Sequence, residues 1–225
     1  RIRLQHPYIN ILSTSDSTWN FQFLIEAFKR DSVSFPFRLN IDTLKLEHSR
    51  LRYNELLIDQ LNVDLTLPVF SSDSLDVQLH SMHLRAQLNP IDAYFKTDLH
   101  GNMDSIFADN MQLVFQNKQL FYGNIAIFHP TQLDSLYIDA NFSDLYCNDN
   151  LLNNLLHQLQ IKSIVLPPMI NQLGDIHYMG DIHGRLERLS LRGHFTTSLG
   201  SINVNGYVKS DTTLQHMDFK GHIAT

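Results

Sequence analysis

Alternation of apolar and polar residues with a period of two is the feature that most constrains how this chain can fold. It is clearest over residues 176–208, where Ile176, Tyr178 and Ile182 fall on one side and His177 and Asp181 fall on the other. Successive side chains of a β-strand point to opposite faces, so the pattern predicts a strand with one apolar face. It restarts twice after short polar turns, which predicts three consecutive strands that pair antiparallel.

The same alternation recurs near the N-terminus and through residues 35–142. A one-residue phase slip at Asp42 and Thr43 predicts a β-bulge, because an extra residue on one strand shifts the alternation by one. Counted together, these segments predict about a dozen strands and therefore a mainly β fold.

Two pairs of glycine-containing segments indicate a degenerate internal repeat. The segment that begins at Gly101 aligns with the one at Gly184, and the segment at Gly123 aligns with the one at Gly200. Ordinary hairpin chemistry is the alternative explanation, because glycine turns and alternation arise in any meandering sheet.

Two segments have instead the 3.6-residue period of short amphipathic helices. The first, near residues 19–29, carries a heavily aromatic stripe that includes Trp19 and Phe28. The second runs from Asp149 to about residue 160, with Asn148 or Asp149 as its cap. We expect both helices to lie across the ends or the mouth of the sheet. The corresponding domain organisation is a first β-block over residues 1–147, a helical connector over 148–174 and a second β-meander over 175–225 that continues past the given sequence.

Composition excludes several classes of function. Among 225 residues, 17 Lys and Arg against 23 Asp and Glu give a formal net charge of -6, which leaves no basic stripe for a nucleic-acid backbone. The single cysteine, Cys147, rules out an internal disulfide framework and is expected to be structural. No apolar run reaches the roughly 20 residues that span a bilayer.

The motifs predict neither a metal site nor a catalytic site. The 12 histidines include His80 and His83, which are predicted to point to opposite faces of a strand. Asp-x-His pairs such as Asp181 with His183 supply only two ligands, whereas zinc takes three or four. The sequence contains no nucleophile elbow, phosphate-binding loop or HExxH motif. We therefore predict no metal site, no cofactor and no enzyme activity.

The apolar faces of the strands must be covered. About twenty apolar side chains left in water would forgo on the order of 30 kcal/mol, more than the roughly 5 to 15 kcal/mol by which a domain is stable. Two short helices are too small to cover the whole sheet. Either the sheet closes into a sandwich or barrel, which fold statistics favour, or it curls into a trough whose lining lipid completes.

A family resemblance favours the trough. The final third resembles the TamB branch of the AsmA-like family, in which a Leu-Pro segment and a Leu-Gly precede a Gly-x-x-x-Gly strand pair and a Thr-x-x-Gly hairpin. Those features correspond here to Leu166-Pro167, Leu173-Gly174, Gly180 to Gly184, and Thr197 to Gly200. Residues 37–142 resemble the family in their alternation and glycines. Trp19-Asn20-Phe21 with the helix that follows resembles the Bacteroidetes-type members.

The resemblance implies a curled antiparallel β-groove, taco-like in section, that lies in the periplasm of a Gram-negative bacterium. The full-length protein would be anchored in the inner membrane, and the groove would carry phospholipid acyl chains toward the outer membrane. Implied partners are phospholipid, neighbouring segments of the same long chain and an outer-membrane barrel assembly protein. The alternative is a closed β-sandwich that acts as a scaffold or assembly module through protein contacts, without lipid. The residues predicted to line the groove are Leu39, Ile41, Val63, Leu65, Val77, Leu79, Leu113, Phe115, Ile125, Ile127, Ile138, Leu189, Leu191, Phe195, Ile202 and Val204.

Overall fold

The protein forms one large, open and curled β-sheet, which confirms the predicted mainly β fold. The computed structural model describes residues 1–12, 20, 38–53, 56–71, 73–86, 91–102, 104–130, 132–158, 172–185, 187–210 and 217–224. The strands are β1 (Ile2–Gln5), β2 (Tyr8–Ile11), β3 (Arg38–Tyr53), β4 (Leu56–Ser71), β5 (Leu75–Ala86), β6 (Ile91–Gly101), β7 (Ser105–Phe115), β8 (Lys118–Phe128), β9 (Tyr137–Cys147), β10 (Ile176–Arg185), β11 (Arg188–Thr197), β12 (Gly200–Ser210) and β13 (Met217–Ala224).

The strand order follows the chain. From β3 to β13 each strand pairs antiparallel with the next, as short hairpin connections favour. The sheet does not fold over into the closed sandwich that fold statistics favoured, since the described strands form a single layer with β1 and β13 at opposite edges. Strands β9 and β10 pair directly, so the sheet continues across the helical connector.

The pairing of β1 and β2 departs from the antiparallel expectation. Both strands lie parallel to β3, with Leu4 opposite Leu46 and Ile9 opposite Leu51. Parallel neighbours need a crossover of a dozen or more residues, and the chain from 12 to 37 is long enough to supply one. Pro7 separates the two short strands and has no N–H to donate to a ladder.

The described part of the chain contains helix α1 (Asp149–Gln158) and a 3-10 turn at Leu133–Ser135, and Gln172 and Leu173, shortly before β10, are also helical. Helix α1 is the second of the two predicted helices. The first, near residues 19–29, falls outside the described residues, so the expectation of two helices is not borne out here. Leu151 of α1 is buried in a core cluster with Phe115, Phe121 and Tyr146 at one end of the sheet.

β-Bulges determine which residues of the long strands point to each face of the sheet. The predicted slip at Asp42 and Thr43 is present, because the register between β3 and β4 shifts between Ile41 and Leu44. Two further bulges are stabilised in the same way. In each, a residue in the left-handed backbone conformation donates its N–H to an asparagine side chain on the next strand. The His48 N–H donates to Asn62 Oδ1 at 2.9 Å, and the Asn110 N–H donates to Asn124 Oδ1 at 2.9 Å.

The hairpin glycines bear on the internal repeat. Gly101 lies opposite Ile106 and Gly184 lies opposite Leu189, so these two aligned segments form equivalent hairpins. The second alignment does not hold in the structure. Gly123 pairs within the middle of β8, whereas Gly200 begins β12, so the two occupy different places in the meander.

Candidate functional site

One face of the sheet, called here the apolar face, carries most of the aliphatic and aromatic side chains of the described strands, with Phe107, Phe128 and Tyr137 among the exceptions on the other face. The register places all sixteen predicted lining residues on this face. Away from the bulged positions, it places no Asp, Glu, Lys or Arg of the described strands there. The bulges preserve this segregation, because each extra residue restores the phase of the strand that follows.

The apolar face is continuous from edge to edge. One row of directly opposed residues, called the central row, crosses eleven neighbouring strands without a polar interruption apart from one tyrosine hydroxyl. Its members are Leu4, Leu46, Val63, Met82, Phe95, Leu113, Phe121, Leu145, Tyr178, Phe195 and Ile202. At about 4.8 Å between strands the row is roughly 48 Å long.

The middle of the apolar face is lined by packed aromatic rings. Ring centroids lie 5.2 Å apart between Phe121 and Phe142, 6.0 Å between Phe142 and Tyr178, and 4.5 Å between Tyr178 and Phe195. Of these four, sequence reasoning assigned only Phe195 to the lining. Phe121, Phe142 and Tyr178 could have been assigned from the same period-two alternation. They lie four, four and two residues from Ile125, Ile138 and Ile176, which are on the apolar face.

Exposure of the predicted lining residues shows that, apart from helix α1 at one end, no second layer covers the face in the described part of the chain. Phe115 and Val204 are buried, at 1% and 8% exposure, and Leu39 is exposed at 36%. The other thirteen are half-buried. In a closed sandwich the inner residues of both sheets would be buried against one another. Here an apolar surface remains within reach of an external apolar molecule.

Few polar atoms lie on the apolar face, and most are satisfied internally. The Tyr178 hydroxyl donates to the Asp181 carbonyl at 2.8 Å and lies 3.3 Å from the Arg192 carbonyl. Burial, with the nearby Asp181 charge, raises the pKa of Tyr178 to about 12. Thr97 donates to the Asp109 carbonyl at 3.1 Å. Ser49 is fully buried and its hydroxyl has no hydrogen-bond partner.

The opposite face, called the polar face, carries the charged residues and several cross-strand histidine pairs. His83 Nε2 lies 2.8 Å from Asp92 Oδ1, and His177 Nδ1 lies 3.3 Å from Asp144 Oδ1. His80 bonds to Thr66 at 2.9 Å. The prediction that His80 and His83 point to opposite faces is wrong, because the bulge between Leu79 and Met82 puts both on the polar face. No group of three or more metal-ligating side chains gathers among the described residues.

The start of helix α1 is tied to the sheet end by a polar network. Asp175 Oδ1 accepts hydrogen bonds from the Tyr146 hydroxyl at 2.7 Å and from Asn148 Nδ2 at 2.8 Å. These two bonds, with the Lys118 charge, lower the pKa of Asp175. Asn148 also caps α1, since its Oδ1 accepts the Leu151 N–H at 2.8 Å. The helix is therefore held at one end of the apolar face.

The lone cysteine, Cys147, is half-buried, and this position disfavours a reactive thiol. Cys147 ends β9 opposite Ile176, and desolvation raises the pKa of its thiol. A raised pKa suppresses the thiolate and makes the residue a poor nucleophile. Nothing in the described part of the chain surrounds Cys147 with the cations that activate catalytic cysteines.

Comparison with known proteins finds no relative. No protein-family model, no curated protein and no solved structure matches this chain. Among the described residues, no helix has the length and apolar character needed to cross a membrane.

Proposed function

We propose that this chain is a non-catalytic lipid carrier, in which the apolar face holds the acyl chains of phospholipids. The observation that carries the proposal is the central row, an unbroken apolar path across eleven strands. Eight of its eleven members are half-buried, Leu4 is exposed, and Phe121 and Tyr178 are buried. The alternative is a scaffold protein whose apolar face is covered by the chain's own side chains. It fits less well, because no second sheet packs against the apolar face in the described residues.

Dimensions support an acyl-chain ligand. The hydrocarbon core of a bilayer is about 30 Å thick, so one leaflet's chains extend roughly 15 Å. Strands such as β8, with 11 residues, span about 36 Å at 3.3 Å per residue. An acyl chain thus fits along the strand direction, with the headgroup at the strand ends. The central row then offers successive equivalent positions from β1 to β12.

The sequence resemblance to the TamB branch supplies the biological setting of the proposal. In that setting the chain is a periplasmic segment of a longer bridge between the inner and outer membranes. Phospholipid is its cargo, adjoining segments of the same chain extend the groove, and an outer-membrane barrel assembly protein is a further partner. The sequence motifs support this setting.

Native mass spectrometry after gentle purification tests the proposal, together with transfer of a fluorescent phospholipid from vesicles to the purified chain. A lipid carrier retains co-purified phospholipid and takes up the labelled one. A scaffold with a self-filled core takes up neither. Uptake that a soluble headgroup analogue competes away, while a fatty acid does not, would also contradict acyl-chain binding.

A further inference from the structure

The polar face carries an unusual row of like charges at the ends of its C-terminal strands. Arg185, Arg188 and Lys209 lie directly opposite one another on β10, β11 and β12. Like charges directly opposed across a sheet are destabilising. The three side chains are exposed. We call them the cationic rim.

Counter-charges do not neutralise the cationic rim. Within the described residues, none of its three members forms a salt bridge, although Glu187 lies in the turn between the first two and Asp218 is opposite Lys209. The Arg188 guanidinium instead lies over the Tyr207 ring at 4.1 Å, which orients it by a cation–π contact. The three cations therefore remain able to pair with an external anion.

Aromatic rings extend the cationic rim along the same row. Tyr137 lies opposite Arg185, and Phe128 lies opposite Tyr137 at a ring-centroid distance of 6.0 Å. Phe107 continues the edge-to-face series at 5.8 Å from Phe128. These rings are half-buried on a face that is otherwise polar. Basic and aromatic side chains side by side are the composition of protein surfaces that sit at membrane interfaces.

The apolar face reaches the same strand ends from the other side. Its last row there includes Gly184, Leu189 and Val208, each of which adjoins one member of the cationic rim in sequence. Acyl-lining residues and the cationic rim are thus neighbours across the thickness of one sheet. A phospholipid that enters the groove at this end would bring its phosphate to the rim.

We propose that the cationic rim docks the chain on the surface of a membrane that contains anionic phospholipids. The inference rests on the proposed function, because it makes this end of the strands the place where lipid enters or leaves the apolar face. Charge complementarity selects the occupant, since three exposed cations that form no ion pair within the described residues lie in one row that can face an anionic surface. The aromatic rings beside the rim favour a membrane interface over a nucleic-acid backbone, because basic and aromatic side chains together are typical of membrane-interface surfaces.

The test is binding of the whole chain to vesicles of phosphatidylethanolamine in which one-third of the lipid is phosphatidylglycerol, with vesicles of phosphatidylcholine alone as reference. The rim variant is R185Q/R188Q/K209Q. The matched control is R1Q/R38Q/R50Q, which removes the same number of exposed cations from elsewhere in the chain. At about fivefold in partition per cation, the rim variant should bind anionic vesicles on the order of 100-fold more weakly, and the control within about threefold of wild type.

Salt and competition complete the test. Binding should fall steeply as the ionic strength approaches about 1 M, where the Debye length is about 3 Å. Equal loss in the rim and control variants would overturn the proposal, as would equal binding to neutral vesicles. A single-stranded oligonucleotide that binds the rim more tightly than vesicles would overturn it in favour of nucleic acid.

Acyl-chain binding measured separately keeps the two proposals apart. A fluorescent fatty acid presented without vesicles should bind wild type and the rim variant alike, because the rim lies outside the apolar face. Wild type could bind anionic vesicles through the rim and yet fail to bind the fatty acid. In that case the lipid-carrier proposal fails while membrane docking stands. If the fatty acid binds and the rim variant still docks normally, only the docking inference fails.

Discussion

The ring of Tyr178 lies directly over Gly193, on the neighbouring strand of the apolar face. A Cβ built at Gly193 would lie 2.6 Å from one ring carbon and 2.3 Å from the Met179 carbonyl oxygen. Both distances are well inside van der Waals contact. The glycine thus lets an aromatic ring lie flat on the sheet and contribute to the smooth apolar surface above it.

Substitution Gly193→Ala should destabilise the fold by about 1 to 3 kcal/mol, because the added methyl forces the ring or the backbone to move. The expected fall in melting temperature is roughly 3 to 10 °C for a chain of this size. Ser190→Ala in the same strand is the control and should change little. An unchanged melting temperature in Gly193→Ala would mean that the ring does not occupy this position.

Removal of the Tyr178 hydroxyl should make stability less sensitive to high pH. Because the pKa of Tyr178 is raised to about 12 in the folded state, its contribution is complete below the ordinary value of about 10 and is lost as the pH rises through about 12. Tyr178→Phe should cost about 1 kcal/mol at neutral pH through the lost hydrogen bond. Denaturant unfolding of both proteins across this pH range should show the gap closing as the pH rises. A gap of constant size would contradict the assignment.

The network at the start of α1 predicts a dependence on acidic pH. Asp175 has a lowered pKa in the folded state, so its contribution is present above its ordinary value of 3.8 and is lost as the pH falls through the folded value. Asp175→Asn should therefore melt below wild type at neutral pH and approach it in acid. Asp139→Asn, on an exposed carboxylate of β9, is the control. A difference that persists unchanged in acid would show that shape, and not charge, secures the helix.

Charges placed on the apolar face should separate lipid binding from folding. Leu191 is half-buried, so an arginine there can reach water, and Leu191→Arg should stay folded while lipid affinity falls at least about tenfold. Val204 is 8% exposed, so Val204→Asp should lose more stability. Arg192→Ala on the polar face should affect neither property. The measurements are a thermal melt and a lipid-binding assay on the same variants. If folding and binding always disappear together, the lipid-carrier account is contradicted.

The sequence was sufficient to predict which face each lining residue occupies. Val77, Ile125 and Leu191 lie far apart in the chain, yet period-two alternation assigns all of them to the face on which the register aligns them. This works because the side-chain direction in a strand is a local property. The phase slip at Asp42 and Thr43 was visible for the same reason.

Features that depend on how one strand pairs with another could not be predicted from the sequence. The bulge between Leu79 and Met82, which puts His80 and His83 on one face, depends on how β5 meets β6 and not on β5 alone. The parallel pairing of β1 with β3 depends on where a long crossover returns the chain. The cationic rim likewise arises only when Arg188 and Lys209 are brought opposite each other by hairpin register.

Site-specific photocrosslinking tests the central claim most directly. A benzophenone amino acid is placed in turn at Ile138 and Leu191 on the apolar face, and at their sequence neighbours Asp139 and Arg192 on the polar face. After ultraviolet irradiation in the presence of phospholipid vesicles, crosslinked lipid is detected by mass spectrometry. The account predicts phospholipid adducts at Ile138 and Leu191 and background levels at Asp139 and Arg192. Equal labelling of the two faces, or no adduct at either apolar position in a folded chain, would contradict it.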